Sequence, residues 1–136
     1  GEMETYLHNL VCKWTSNNVP QNSIFKCDAV FIPAHVNRDH WMLIVVFMDQ
    51  KVIQAFCSLG KRYKDAVRAV FQYLKDEYRH RNGNREMPYQ EQWKLIAKTP
   101  TCPTQRNGYD CGVFVCMYAD FIANGWPLVF TQTHIN

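Results

Sequence analysis

Residues 41–48 read Trp-Met-Leu-Ile-Val-Val-Phe-Met, an apolar run rich in β-branched side chains. A strand with one wet face alternates apolar and polar residues, whereas a run of this kind needs cover on both sides. The chain must therefore supply packing material for two faces of a sheet. That requirement excludes a simple hairpin or a one-faced meander.

The flanking sequence supplies both the sheet and its cover. Residues 29–33 form a second short apolar run and predict a strand; 34–39 are polar and turn-like. Asp49-Gln50 makes a tight connection, and 51–57 predict a third strand that continues the meander. Over 62–79, Tyr63, Ala66, Val67, Val70, Phe71, Leu74 and Tyr78 keep the helical period of 3.6. Arg81-Asn82-Gly83-Asn84 and Pro88 break that helix, and 93–97 predict a further strand. Residues 99–109 hold two prolines and Gly108, so they form a loop. A second long helix spans 110–124, with Val113, Phe114, Met117, Phe121 and Ile122 as its apolar positions. Asn124-Gly125 stops it, and 126–130 are extended. Near the start, Met3, Tyr6, Leu7, Leu10, Val11 and Trp14 predict an amphipathic helix over 2–14, ended by Asn17, Asn18, Pro20 and Asn22. Helices on both sides of a run of strands give an α+β class. No repeat, low-complexity stretch or linker divides the chain, so 1–136 reads as a single domain.

Composition narrows the function classes. Hydrophobic residues make up 47% and charged residues 20%, which suits a globular core and excludes disorder. The net charge of +3 is spread along the chain, which argues against a nucleic-acid partner. No apolar run approaches the ~20 residues of a membrane span. The six cysteines, Cys12, Cys27, Cys57, Cys102, Cys111 and Cys116, contain no Cys-x-x-Cys pair or zinc spacing. Reduced thiols in nucleus or cytoplasm are the expectation.

One cysteine stands apart. Cys111 opens the second long helix after a glycine-containing loop, Gln105-Arg106-Asn107-Gly108-Tyr109-Asp110. A helix N-terminus offers partial positive charge and unpaired N–H groups, which suit an anionic sulfur. The amide of such a residue also points at the oxyanion formed when sulfur attacks a carbonyl. Gly112 leaves the approach open, and Asp110 is a natural N-cap. His40, where a polar turn enters the apolar strand, is the candidate base; His35, five residues earlier, ranks below it. Gln105 carries an amide able to donate to an oxyanion. Each residue also fits a plainer role: a small buried cysteine, a strand-end histidine, a loop glutamine.

Together, His40-Trp41, Gln105 and Gly108-Tyr109-Asp110-Cys111-Gly112 resemble the catalytic domain of the SUMO-specific proteases, the Ulp/sentrin-protease family of cysteine peptidases. Phe31-Ile32-Pro33, Ser58-Leu59-Gly60, Tyr118-Ala119-Asp120 and Phe130-Thr131-Gln132 extend the resemblance over nearly the whole chain. It implies a papain-like architecture, a central mixed sheet packed against helices, with the nucleophile at the N-terminus of a central helix. It further implies Cys111 as nucleophile, His40 as general base and Gln105 in the oxyanion hole. Trp41 becomes one wall of a tunnel for a Gly-Gly tail, or a core tryptophan at the start of a buried strand, or both. The implied reaction is cleavage of a peptide or isopeptide bond after that diglycine. The implied partner is a SUMO-like or other ubiquitin-like modifier and its conjugates, with no cofactor and no metal; monomer is the default expectation.

The sequence departs from the family pattern at the third triad position. There the family carries an aspartate before a Ser-hydrophobic-Gly turn, and this chain reads Phe56-Cys57-Ser58-Leu59-Gly60. A neutral thiol is a weak hydrogen-bond partner and would orient an imidazole poorly. The family also ordinarily begins with a segment carrying a second tunnel tryptophan, which Trp14 does not replace, and continues into a C-terminal helix. The expectation is an excerpt of a longer protein or a shortened relative. Three functions follow in order: a protease of reduced activity using a Cys111–His40 dyad, a weak or inactive relative that binds the modifier, and, last, an acyl transferase.

Overall fold

The computed structural model describes residues 23–36, 40–100, 102–128 and 130. The helix expected over 2–14 and residues 131–136 lie outside the described residues. Among the described residues four strands form one sheet: β1 (Ala29–Val36), β2 (His40–Phe47), β3 (Val52–Phe56) and β4 (Lys94–Ile96), in the order β1-β2-β3-β4. The first two pairings are antiparallel and the last is parallel, so the sheet is mixed. Between β3 and β4 runs α1 (Lys64–Arg81); α2 (Cys111–Ala123) follows the long loop.

The apolar run behaves as its composition requires. Met42 through Val46 are all buried, and the pleat divides them between two cores. Met42, Ile44 and Val46 join Ile53, Ala55 and Cys57 beneath Ala66, Val67, Val70 and Leu74 of α1. Leu43, Val45 and Phe56 face the other way, against Phe114, Val115 and Tyr118 of α2 and against Phe130. The two cores differ in kind. The α1 side is mainly aliphatic, while the α2 side holds a ring cluster in which Phe114, Tyr118 and Phe121 all approach Phe130 within 5.7 Å or less.

Several expectations shift. Residues 34–36 are strand and not turn, because Ala34, His35 and Val36 pair with Met42, Trp41 and His40. Pro33 is tolerated inside β1 because, among the described residues, that strand lies at the sheet edge. In α2 the buried stripe is Cys111, Phe114, Val115 and Tyr118, whereas Val113 is 43% exposed. Steps of three and four from Cys111 generate that stripe, so the cysteine itself heads the packed face. In α1, Glu77 is fully buried and accepts from Arg81 Nε at 3.1 Å, one turn along. The described cysteines, Cys27, Cys57, Cys102, Cys111 and Cys116, are free thiols. Among the described residues no helix is long and apolar enough to cross a membrane.

Candidate active site

The loop before α2 is organised by Asn107. Its Oδ1 accepts the backbone N–H groups of Tyr109 and Asp110, both at 3.0 Å, and its Nδ2 donates to Asp110 Oδ2 at 2.8 Å. Asp110 therefore stands at the N-cap position without capping. Its side chain makes no cap hydrogen bond, because the carboxylate is drawn back to Asn107. The first turn of α2, where Cys111 and Gly112 lie, is left without a side-chain cap. At Gly112 an added Cβ would meet nothing within 4 Å, so packing inside the chain does not demand glycine there.

Cys111 is buried at the head of the α2 stripe, and its Sγ accepts the N–H of Trp41 at 3.4 Å. The helix thus delivers the thiol to the first peptide unit of β2, the one that follows His40. The His40 side chain is buried as well, and its Nε2 lies 3.2 Å from Cys57 Sγ. Cys57 is the residue just past β3, and the Leu43–Phe56 pairing brings the ends of β2 and β3 together. One end of the sheet therefore gathers a thiol on a helix N-terminus, an imidazole, and a second thiol behind the imidazole.

The turn that holds Cys57 is built largely from backbone. Gly60 N–H donates to the Cys57 carbonyl at 3.1 Å, and Gly60 adopts φ +69°, a conformation that favours glycine. Leu59 N–H donates to Cys57 Sγ at 3.4 Å. This is the contact an aspartate makes with the amide two residues on, so the position suits a side-chain acceptor. Tyr63 Oη lies 3.4 Å from the same sulfur.

Gln105 ties this turn to the loop before Cys111. Its backbone N–H donates to the Ser58 carbonyl at 2.9 Å, its Oε1 accepts from Ser58 Oγ, and its Nε2 donates to the Asn107 carbonyl. The amide orientation is thereby set, oxygen toward the turn and nitrogen toward the loop. Trp41 is 42% exposed, so it is not a core tryptophan. Its ring stacks on His35, its cross-strand partner, at 4.7 Å and 24°. His35, the lower-ranked base, is exposed on that stack.

Behind the site, burial pushes the Cys102 thiol up, against partial offset from a hydrogen bond to Tyr118 and from the Cys57 amide. The Tyr118 phenol is raised too, chiefly by burial, and its hydroxyl donates to the Pro103 carbonyl. Sequence reasoning missed Tyr63, the bracing role of Asn107 and the Ser58–Gln105 link. Tyr63 was legible only as a helix-face residue; its place six residues after Cys57, across the Gly60 turn, was the available signal.

The profile described as "Ulp1 protease family, C-terminal catalytic domain" matches residues 1–136. The chain belongs to the Ulp1 protease family. Within this family, sentrin-specific protease 2 of Mus musculus is 31% identical over 125 residues, 92% of this chain and 20% of that protein. Ubiquitin-like-specific protease 1A of Arabidopsis thaliana is 34% identical over 128 residues, 93% of this chain and 24% of that protein. The chain therefore spans about a fifth to a quarter of these curated relatives. Among solved structures, the C-terminal Ulp1 protease domain in complex with Smt3, the yeast ortholog of SUMO, superposes with a TM-score of 0.75 at 26% identity. That match covers 97% of this chain and 57% of the solved one. The SUMO protease Ulp1 with its catalytic cysteine oxidised to a sulfonic acid gives 0.73 at 27% identity, over 95% and 56%. The α+β papain-like architecture expected from the sequence is the architecture of the Ulp1 family.

Proposed function

We propose that this chain carries the thiol-protease centre of a peptidase or isopeptidase that cleaves after the diglycine of a SUMO-like modifier. The observation that carries the reading is the convergence at one sheet end. Cys111 Sγ lies on the amide that follows His40, and the His40 ring lies on Cys57 at the acid's position. In this reading Cys111 attacks the carbonyl of the terminal glycine, and His40 takes its proton and returns it to the leaving amine. The resulting thioester is hydrolysed by a water that His40 activates. Gln105 and the uncapped first turn of α2 donate to the oxyanion. Trp41, exposed beside the thiol, forms one wall of the channel for the Gly-Gly tail, and Gly112 keeps its floor low.

Cys57 sets the level of activity. A thiol holds the imidazole in place but stabilises an imidazolium less than a carboxylate does, so turnover is reduced relative to a site with an acid. The same residue supports the second reading, a relative that binds the modifier and turns it over weakly or not at all. The modifier and its conjugates are the partners in both readings. Neither needs nucleic acid, a membrane or a second copy, and both fit the nucleus or cytoplasm.

A SUMO-like modifier ending in a C-terminal electrophile tests the reading, with the adduct located by mass spectrometry. Labelling of Cys111 that disappears in Cys111→Ala is expected. Labelling that persists in that variant, or that falls on Cys57, would falsify the assignment. Binding without labelling favours the second reading.

A further inference from the structure

A neutral thiol has one proton to place, and at Cys57 its placement has consequences. Among the described residues three groups lie within hydrogen-bonding reach of the sulfur: His40 Nε2 at 3.2 Å, Tyr63 Oη at 3.4 Å and Leu59 N–H at 3.4 Å. The Leu59 amide is a donor only, so it cannot receive the proton. Of these three, two can accept it, the imidazole nitrogen and the tyrosine oxygen. If the thiol donates to His40, Nε2 must be bare and the neutral ring carries its hydrogen on Nδ1. If it donates to Tyr63, the sulfur turns lone pairs toward His40, Nε2 keeps its hydrogen, and Nδ1 is bare. Only the second arrangement leaves a lone pair free on the nitrogen not engaged by Cys57.

We propose that Tyr63 is a positioning residue of this site: its oxygen accepts the Cys57 thiol proton and so holds His40 in the Nε2–H tautomer. The bare Nδ1 is then the atom that takes the proton of Cys111, a step that rests on the protease reading above. An aspartate at position 57 would need no such help, because a carboxylate accepts and never donates when ionised. Tyr63 supplies what a thiol lacks, an outlet for its own hydrogen.

Tyr63 is well placed for this. It is buried at 6% exposure, and its backbone N–H donates to the Ala97 carbonyl at 2.9 Å while its carbonyl accepts from Val67 at 3.2 Å. It occupies the N-cap position of α1, yet makes no side-chain cap bond. A residue chosen for capping would be Ser, Thr, Asp or Asn. Here the capping position carries a rigid ring, and its hydroxyl reaches Cys57.

The test reads the tautomer directly. Long-range proton–nitrogen spectra of ring-labelled histidine, taken on the alkaline side of the ring's titration, distinguish Nε2–H from Nδ1–H at His40. The expected result is Nε2–H in the parent chain, a shift toward Nδ1–H in Tyr63→Phe, and a return to Nε2–H in the Cys57→Asp/Tyr63→Phe pair. Cys57→Ala, which has no proton to place, makes Tyr63→Phe silent. A parent His40 protonated on Nδ1, or a Tyr63→Phe spectrum unchanged from the parent, overturns the proposal. These spectra need no turnover, so they decide the point even where Cys111 fails to react with the modifier probe, a failure that would sink the protease reading alone. Where turnover is present, Tyr63→Phe should lower kcat by roughly three- to tenfold, the scale of one ordinary hydrogen bond, with KM unchanged. An equal loss in the Cys57→Asp background would mark Tyr63 as merely structural, and thermal denaturation of each variant controls for folding.

Discussion

The two faces of the sheet contribute unlike halves to one site. On the α2 face, an aromatic cluster of Phe114, Tyr118, Phe121 and Phe130 fixes the helix that carries Cys111. On the α1 face, an aliphatic layer ends in polar contacts, and Cys57, Tyr63 and His40 sit among them. Cys111 is thus held by packing, which is strong and non-directional. The His40 ring is held by a contact to the Cys57 sulfur, which is directional and weak. A change on the first face should move stability and reactivity together. A change in the polar contacts that end the second face should move reactivity with little cost in stability, and a change in its aliphatic layer should move stability alone.

The sharpest break of this division is Cys57→Asp. The turn already offers the Leu59 amide to a side-chain acceptor, so the fold should tolerate the carboxylate. Turnover of a diglycine-linked modifier substrate should rise at least about tenfold, below the ~10⁴ ceiling set by removing the acid from another triad. The rise should fall on kcat, measured by initial rates, with the denaturation midpoint little changed. An unchanged kcat would mean that another group already orients His40.

Paired truncations come next. Phe114→Ala removes a fully buried ring and should cost about 3–5 kcal/mol by urea unfolding, while Leu74→Ala under α1 should cost about 2–5 kcal/mol. In the folded fraction, only Phe114→Ala should also slow Cys111 modification by the electrophilic modifier. If Leu74→Ala slows it equally, the two faces are mechanically coupled and the division fails.

The smallest effect concerns Cys102. Burial raises its thiol in the folded chain above the ordinary value of 9.0, so the folded form keeps a proton that the unfolded chain loses first. Its contribution to stability is complete below 9.0 and declines as pH rises through the folded value. Alkylation of Cys102, followed by peptide mapping across alkaline pH, should lag that of exposed Cys116. Equal rates would show that the aromatic face is open to reagent at that point.

Much of this arrangement was readable from residue pattern. The apolar run at 41–48 demanded a two-faced sheet, and Met42 through Val46 are buried on both sides. The α1 stripe appeared as spaced. In α2 the periodicity takes in Val113, which is exposed, since that helix is apolar nearly all round and periodicity alone does not say which apolar residue faces the ring cluster. The strand extension through Val36 was hidden by polarity, because register with β2 and not composition sets it. At the site, the thiol and imidazole were legible through their places at a helix start and a strand start. Tyr63 and Asn107 were not, because their roles depend on where a turn and a loop fold back, which is a long-range outcome of pairing.

The turn at Cys57 has a consequence for how such a site can change over generations. Its shape is set by the Gly60 backbone and the Cys57 carbonyl, and to the turn itself the side chain at 57 adds an acceptor for Leu59. Position 57 is therefore a socket in which the chemistry is exchangeable while the backbone of the turn stays the same. A lineage can pass between thiol and carboxylate there by one substitution, retuning its rate without first having to repair its fold.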